Sequence, residues 1–332
     1  MPIIGLIRGV GEGEIATGHL IKLGKALNRR FRSGIKFEEL AVGNCIKYGY
    51  ELTGEAIESM RKYECIFSGD MSSTANVLNY SICDIALSLS NDTEYTSVSG
   101  FGDYAPVDIH IVNYFDGNSK LRYSENSKNG VCETRVCSTY SAVNIVKAVI
   151  KTCMERRRRL TFVKDSENEY CSDLFVRMFE EFALPLSNFR LLRFSIDDIT
   201  REMYDNPSQF DTVFASKSFA DFTGGLLRAK LGKKVSIYSK FLRSVPVYAV
   251  KAIEGNSYTE NYLPSLASYV TAFGDMLRDI FGMEKEAAVL RNAVNEALNL
   301  EDYTNPEAFF KCIEENLNNP VTTKYPKRKK PH

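Results

Sequence analysis

The sequence predicts an α/β fold made of parallel βαβ units, and three observations predict it. Short apolar runs alternate with helix-periodic segments from the first residues onward. The chain has 332 residues, too many for one small domain and suited to one large α/β unit or two lobes of about 150 residues each. Its composition, 44% apolar and 25% charged, is that of an ordinary globular protein and excludes disordered, collagen-like and fibrous readings.

Ile3 to Ile7 reads as a buried strand that runs into Gly9, Gly11 and Gly13, followed by a helix from about Ala16 to Phe31. Along that helix Ala16, Leu20, Leu23, Leu27 and Phe31 form one apolar stripe. Ile35 to Val42 is the second strand, Gly54 to Glu64 the second helix and Cys65 to Ser68 the third strand. The chain then changes character. From Asp92 to Asn129 it is rich in Ser, Asn, Asp, Gly and Tyr around one apolar run, Val107 to Val112. A helix from about Ser141 to Arg158 follows, with core positions Val146, Val149, Ile150 and Cys153. Four arginines, Arg156 to Arg159, close it where cations suit the helix dipole. Strand Leu160 to Val163, helix Ser172 to Phe182 and strands Leu191 to Phe194 and Thr212 to Ala215 continue the rhythm. From about Leu266 to Leu317 the pattern is helical, and a Pro- and Lys-rich tail follows.

Lys plus Arg and Asp plus Glu both number 42, so no global field favours nucleic acid or an acidic membrane. The basic stretch Lys324 to Lys330 is a local exception, read as solubilising. Eight cysteines include no Cys-x-x-Cys, which points to reduced, mostly buried thiols. The opening residues are too short an apolar run for a signal peptide, and no stretch approaches a membrane span. The expected setting is the cytoplasm.

The glycine loop is not the dinucleotide fingerprint, because its third glycine comes one residue early and Glu12 and Glu14 place like charge where a phosphate would sit. It reads as a tight turn. The three histidines, His19, His110 and His332, have no nucleophile or metal partner at a suitable spacing. Asp197, Asp198, Asp211 and Asp221 lie near strand ends, where hard oxygen ligands for magnesium are placed, although caps and solvated loops use the same residues. Lys164 ends an apolar strand, a position from which a lysine can donate a proton, or simply meet solvent.

The order of segments resembles a known family. Ile3-Ile4-Gly5-Leu6-Ile7-Arg8-Gly9-Val10-Gly11-Glu12-Gly13-Glu14 is similar to a strand followed by Pro-Gly-Asp-Gly-Ile-Gly-Pro-Glu. Ile196-Asp197-Asp198, then Asn206-Pro207-Ser208-Gln209-Phe210-Asp211-Thr212-Val213, resembles a Val-Asp … Pro-x-x-Phe-Asp-Val stretch. Ser218-Phe219-Ala220-Asp221-Phe222 is similar to an Asn-x-x-Gly-Asp-x-x-Ser-Asp segment. These belong to the isocitrate/isopropylmalate dehydrogenases, the β-decarboxylating hydroxy-acid dehydrogenases. The resemblance runs from Ile3 to about Leu317, and most active-site motifs are altered.

The resemblance implies a two-lobed isopropylmalate dehydrogenase-like fold, not a Rossmann domain. Residues 1–95 plus 228–332 would form the first lobe, and residues 96–227 a second lobe carrying the dimer interface. The family oxidises a 2-hydroxy acid with NAD or NADP, and Mg2+ or Mn2+ assists loss of carbon dioxide. Lys164 matches the proton-donating lysine, and Asp197 and Asp221 match two metal aspartates, while the third position is Gly225. The clamp arginines fall on Tyr80, Ser90 and Asn113, and the catalytic tyrosine on Lys120, or on Tyr123 with a shift. Of the cofactor loop Ser244 and Pro246 remain, with Leu242 at the adenine-contacting position and Arg243 beside it.

Removing one bidentate arginine from a buried dicarboxylate site costs about 2–5 kcal/mol. The first reading is therefore a catalytically degenerate relative, a regulatory or assembly subunit in a homodimer or beside an active partner, with helix Ser141 to Arg158 as the first candidate interface. The alternative is an NAD(P)-dependent, metal-assisted dehydrogenase or decarboxylase with a changed substrate. In it Tyr80, Asn113 and Tyr114 supply neutral hydrogen bonds, and Lys240 and Arg243 meet a different phosphate-bearing cofactor, although a plain surface role for both is the first reading of these two residues.

Overall fold

The computed structural model describes residues 2–9, 12–40, 53–70, 85–86, 89, 93–114, 123–127, 130–134, 138–164, 169–183, 185–232, 234–250, 266–300 and 305–318. The chain begins with parallel units: β1 (Ile3–Ile7), α1 (Glu12–Phe31), β2 (Lys36–Glu39), α2 (Gly54–Met60) and β3 (Cys65–Ser68). Helix α1 starts at Glu12 rather than Ala16, so the glycine loop is partly helical. Its glycines have a packing reason. A Cβ on Gly13 would stand 2.7 Å from the Asp70 backbone, and one on Gly9, at φ +78°, would stand 2.3 Å from the Asp70 carbonyl oxygen. Only glycine lets these two connections lie this close. Helix α2 stops at Met60 rather than Glu64; Thr53 caps it through the amide of Ala56.

The polar middle contains strands that no apolar pattern announces. β4 (Thr93–Gly100) is buried at all eight positions and lies antiparallel to β5 (Asp108–Tyr114). It is a central strand covered on both faces, where Thr, Ser and Glu are paired or enclosed instead of alternating with solvent. A separate antiparallel hairpin, β6 (Tyr123–Ser127) and β7 (Gly130–Thr134), follows. The remainder is α3 (Thr139–Glu155), β8 (Arg159–Lys164), α4 (Glu169–Ala183), β9 (Arg190–Ser195), α5 (Ile196–Asp205), β10 (Thr212–Ala215), α6 (Lys217–Leu231), β11 (Val235–Phe241), β12 (Val247–Ala249), α7 (Leu266–Phe281), α8 (Glu284–Ala297) and α9 (Pro306–Asn318).

Ten strands form one mixed sheet in the order β2-β1-β3-β12-β11-β4-β5-β10-β8-β9. β2, β1, β3 and β12 run parallel to one another, and β5, β10, β8 and β9 run parallel to one another. Between these blocks β11 and β4 pair antiparallel with each other and with their outer neighbours, so the blocks point in opposite directions. Ile109, Ile111, Val213 and Val235 pack under α5 and α6 on one face. Val112, Phe162 and Phe214 pack under α3 and α4 on the other. Helix α7 is buried at every residue from Leu266 to Gly274, held between the sheet and helices α1 and α8. No helix among the described residues is long and apolar enough to cross a membrane. Cys65 and Cys153 are free and buried, and Cys312 is free and partly buried.

The arginine run does more than complement a dipole. Arg156 lies beyond the end of α3, where its Nε donates to Asp211 Oδ1 at 2.8 Å and its Nη2 to the Asp108 carbonyl at 2.8 Å. The Asp211 side chain is 0% exposed, and the Arg157 amide donates to it as well.

Candidate functional site

The carboxyl ends of β5, β10 and β8 define one edge of the sheet, and several predicted residues stand along it. Asn113 is near the end of β5 and pairs in register with Ala215, the last residue of β10. Lys217 opens α6 two residues later, and Lys164 ends β8 in register with Ser195 of β9. Asp197 follows in the first turn of α5. Glu94 of β4 pairs in register with Asn113 across the antiparallel junction, which puts both side chains on one face.

At the junction a cation sits between carboxylates. Lys217 Nζ is 3.2 Å from Glu94 Oε2 and also pairs with Asp221 one helical turn on. The Glu94 side chain is 0% exposed and accepts a hydrogen bond from Ser239 Oγ of β11. Asn113 beside it is fully buried, and among the described residues neither amide atom has a hydrogen-bond partner. An unpartnered buried amide is costly and unusual, and so marks a place to which a ligand or water can contribute.

The other predicted residues are placed more plainly. Lys164 is about half exposed and lies 3.7 Å from Asp173 of α4. Asp197 is exposed in a helical turn that Ser195 caps, its hydroxyl accepting from the Asp198 amide and donating to the Asp198 carboxylate. Acidic residues suit that position electrostatically without any metal. Gly225 is in α6, where an added Cβ would meet nothing within 4 Å. Ser244 is exposed and Pro246 half-buried in the β11–β12 connection, where the Pro246 carbonyl accepts from Ile66 N. Leu242 packs against the core, as a structural side chain does. Tyr80, Ser90, Lys120 and the basic tail lie outside the described residues, as do the side chains of Tyr114 and Tyr123.

Divalent metal does not fit what is present. Asp221 is engaged by Lys217, the third position is a glycine, and among the described residues no three His, Cys, Asp or Glu side chains gather at a metal site. For a nicotinamide cofactor, the described residues of the β11–β12 connection offer an inward leucine and an exposed serine, not a cradle.

Lys240 does not face a phosphate. It is 4% exposed and pairs with Asp279 of α7 at 3.1 Å, where the Tyr248 hydroxyl also donates at 3.1 Å. Arg278 bridges Asp275 and Asp279, and Tyr238 donates to Asp275. Burial opposes the Asp279 charge, but Lys240 and Arg278 hold its carboxyl below the usual range. On the same sheet face His110 is held well below its ordinary value by burial first, then by Lys240, Arg156 and Arg278. The Arg156 guanidinium lies 3.2 Å from His110 Nε2, which assigns the ring proton to Nδ1.

Sequence inspection missed Lys217, Glu94 and Ser239. The Lys217–Asp221 spacing of four was legible as a helical ion pair. Glu94 was not, because it comes from a strand far away in sequence.

The fold is that of the β-decarboxylating dehydrogenases. The structure matches isocitrate dehydrogenase from Methylococcus capsulatus with a TM-score of 0.77 at 16% identity, covering 96% of this chain and 100% of that one. A β-decarboxylating dehydrogenase from Thermococcus kodakarensis matches at 0.75 and 17%, covering 96% of each chain. In sequence the chain is 23% identical over 327 residues to 3-isopropylmalate dehydrogenase of Priestia megaterium, covering 89% of this chain and 87% of that protein. It is 20% identical over 329 residues to that of Clostridium acetobutylicum, covering 89% and 90%. No family model matches the chain. The chain thus resembles the isocitrate/isopropylmalate dehydrogenases in fold and, at 20–23% identity, in sequence.

Proposed function

We propose that this chain is a catalytically degenerate relative of those dehydrogenases that serves as a regulatory or assembly subunit, having lost Mg2+ or Mn2+ and NAD or NADP. The observation that carries the reading is Asn113. Where a clamp arginine would meet a substrate carboxylate, this chain has a fully buried neutral amide with no hydrogen-bond partner among the described residues. Without that guanidinium a dicarboxylate pays desolvation with no bidentate counter-charge. The reading keeps the two lobes, residues 1–95 plus 228–332 and 96–227, and it sets the chain in the cytoplasm without nucleic-acid or membrane partners.

Either a homodimer or a hetero-oligomer with an active relative fits the reading. Tyr204 of α5 and Phe222 of α6 are 51% and 53% exposed and supply apolar surface for such a contact. Helix α3, the first candidate interface, spends Ala142, Ile145, Val146, Val149, Ile150 and Cys153 on the core and exposes Tyr140 near its start at 76%.

Isothermal titration with NAD and NADP, followed by turnover assays on a panel of 2-hydroxy acids, tests the reading. No cofactor binding, no turnover and capture of an active homologue from cell extract are expected. Metal-stimulated reduction of either nicotinamide would overturn it. A second reading, an enzyme with a changed substrate, draws on the same amide: Asn113 and a solvent-facing Lys164 on one sheet edge suit a less acidic hydroxy compound. Turnover lost in Lys164→Ala would favour it.

A further inference from the structure

We infer that the ammonium of Lys217 is a built-in substitute for the divalent cation that the fold implies, so that the Asp221 site is metal-independent. This rests on the proposed reading, in which Asp221 is one of two surviving metal positions, the other being Asp197. Glu94 is the reason the ammonium is fixed. A carboxylate at 0% exposure needs a permanent counter-charge, and Lys217 Nζ supplies it at 3.2 Å while Ser239 donates to the other oxygen. If Lys217 swung aside to admit a metal, Glu94 would lose that charge. If it stayed, a divalent ion at Asp221 would stand against a positive neighbour.

Position on the helix points the same way. Lys217 is the first residue of α6, where the helix dipole disfavours a cation. Two carboxylates offset that cost, so the lysine is held by the site rather than by the helix. Gly225 adds an independent observation. A side chain there would meet nothing within 4 Å, so packing does not forbid a third carboxylate. A site that already holds its cation has no use for one.

The test is a Mn2+ titration followed by the electron paramagnetic resonance signal of the free ion. Wild type, Asp221→Asn and the double variant Lys217→Ala/Gly225→Asp are compared, with circular dichroism as the check on folding. Wild type is expected to leave the free-ion signal unchanged to millimolar Mn2+, and the double variant to gain one site at least tenfold tighter. One Mn2+ bound per wild-type chain and lost in Asp221→Asn would overturn the inference, as would a folded double variant that binds none. Should the double variant fail to fold, Lys217→Gln decides: a lower melting temperature is expected, and an unchanged one would overturn the inference. Turnover without added metal would sink the non-catalytic reading and leave this inference standing. Mn2+ binding to wild type without turnover would sink this inference and the loss of metal, and leave the non-catalytic role standing.

Discussion

Replacing Arg156 by methionine removes the cation that compensates Asp211 at the start of β5 and β10. The Arg156 side chain is 16% exposed and that of Asp211 is 0% exposed, so solvent cannot replace the pairing. After the change Asp211 keeps the Arg157 amide at 3.2 Å, and the Asp108 carbonyl loses its 2.8 Å donor. Breaking a buried pair on one side costs about 3–5 kcal/mol. With roughly 2.1 cal/mol/K of unfolding entropy per residue, a chain of 332 residues changes by about 0.7 kcal/mol/K, so the melting temperature should fall about 4–7 °C. Asp211→Leu should fall by a similar amount, because it strands the arginine. Differential scanning calorimetry on both singles and the Arg156→Met/Asp211→Leu double checks this. The double should be less destabilised than the sum of the singles. Singles that each melt within 1 °C of wild type, or a double that loses the full sum, would refute the reasoning.

Acid should destabilise the protein through its buried histidines. His110 and His19 both have lowered pKa values, burial being the main cause in each. Below the unfolded value of 6.5 the unfolded chain takes up protons that the folded chain refuses. Stability is therefore lost as pH falls from about 6.5, at up to about 1.4 kcal/mol per pH unit for each group. A melting series from pH 7 to 5 should show that slope, and His110→Asn should reduce it. Gly9→Ala should cost more than about 1–2 kcal/mol, since φ +78° is strained for alanine and its Cβ would meet the Asp70 carbonyl; urea unfolding measures it. Lys240→Met should cost about 2 kcal/mol, because Asp279 keeps only Arg278 and Tyr248, and a wild-type midpoint in urea would contradict this. Ser195→Ala should lose about 1 kcal/mol with the cap of α5, read by the same urea midpoint.

Local pattern by itself determined the parallel units. β1, β3 and β10 occupy the bounds their apolar runs indicate, because a strand buried on both faces must be written in continuous apolar residues. The order of segments also carried the family likeness. β4 was not legible, since burial there comes from neighbours on both sides and not from its own Thr, Ser and Glu side chains. The same holds for Lys240, a surface residue by type that α7 encloses. The candidate site divided in the same way. Asn113 and Gly225 were singled out only through the family resemblance, and Asp221 also as a carboxylate near a strand end, whereas the cation between Asp221 and Glu94 needed β4 and α6 to meet. Sequence order sets which residues are near along the chain, and only the paired sheet decides which buried carboxylate a lysine must answer.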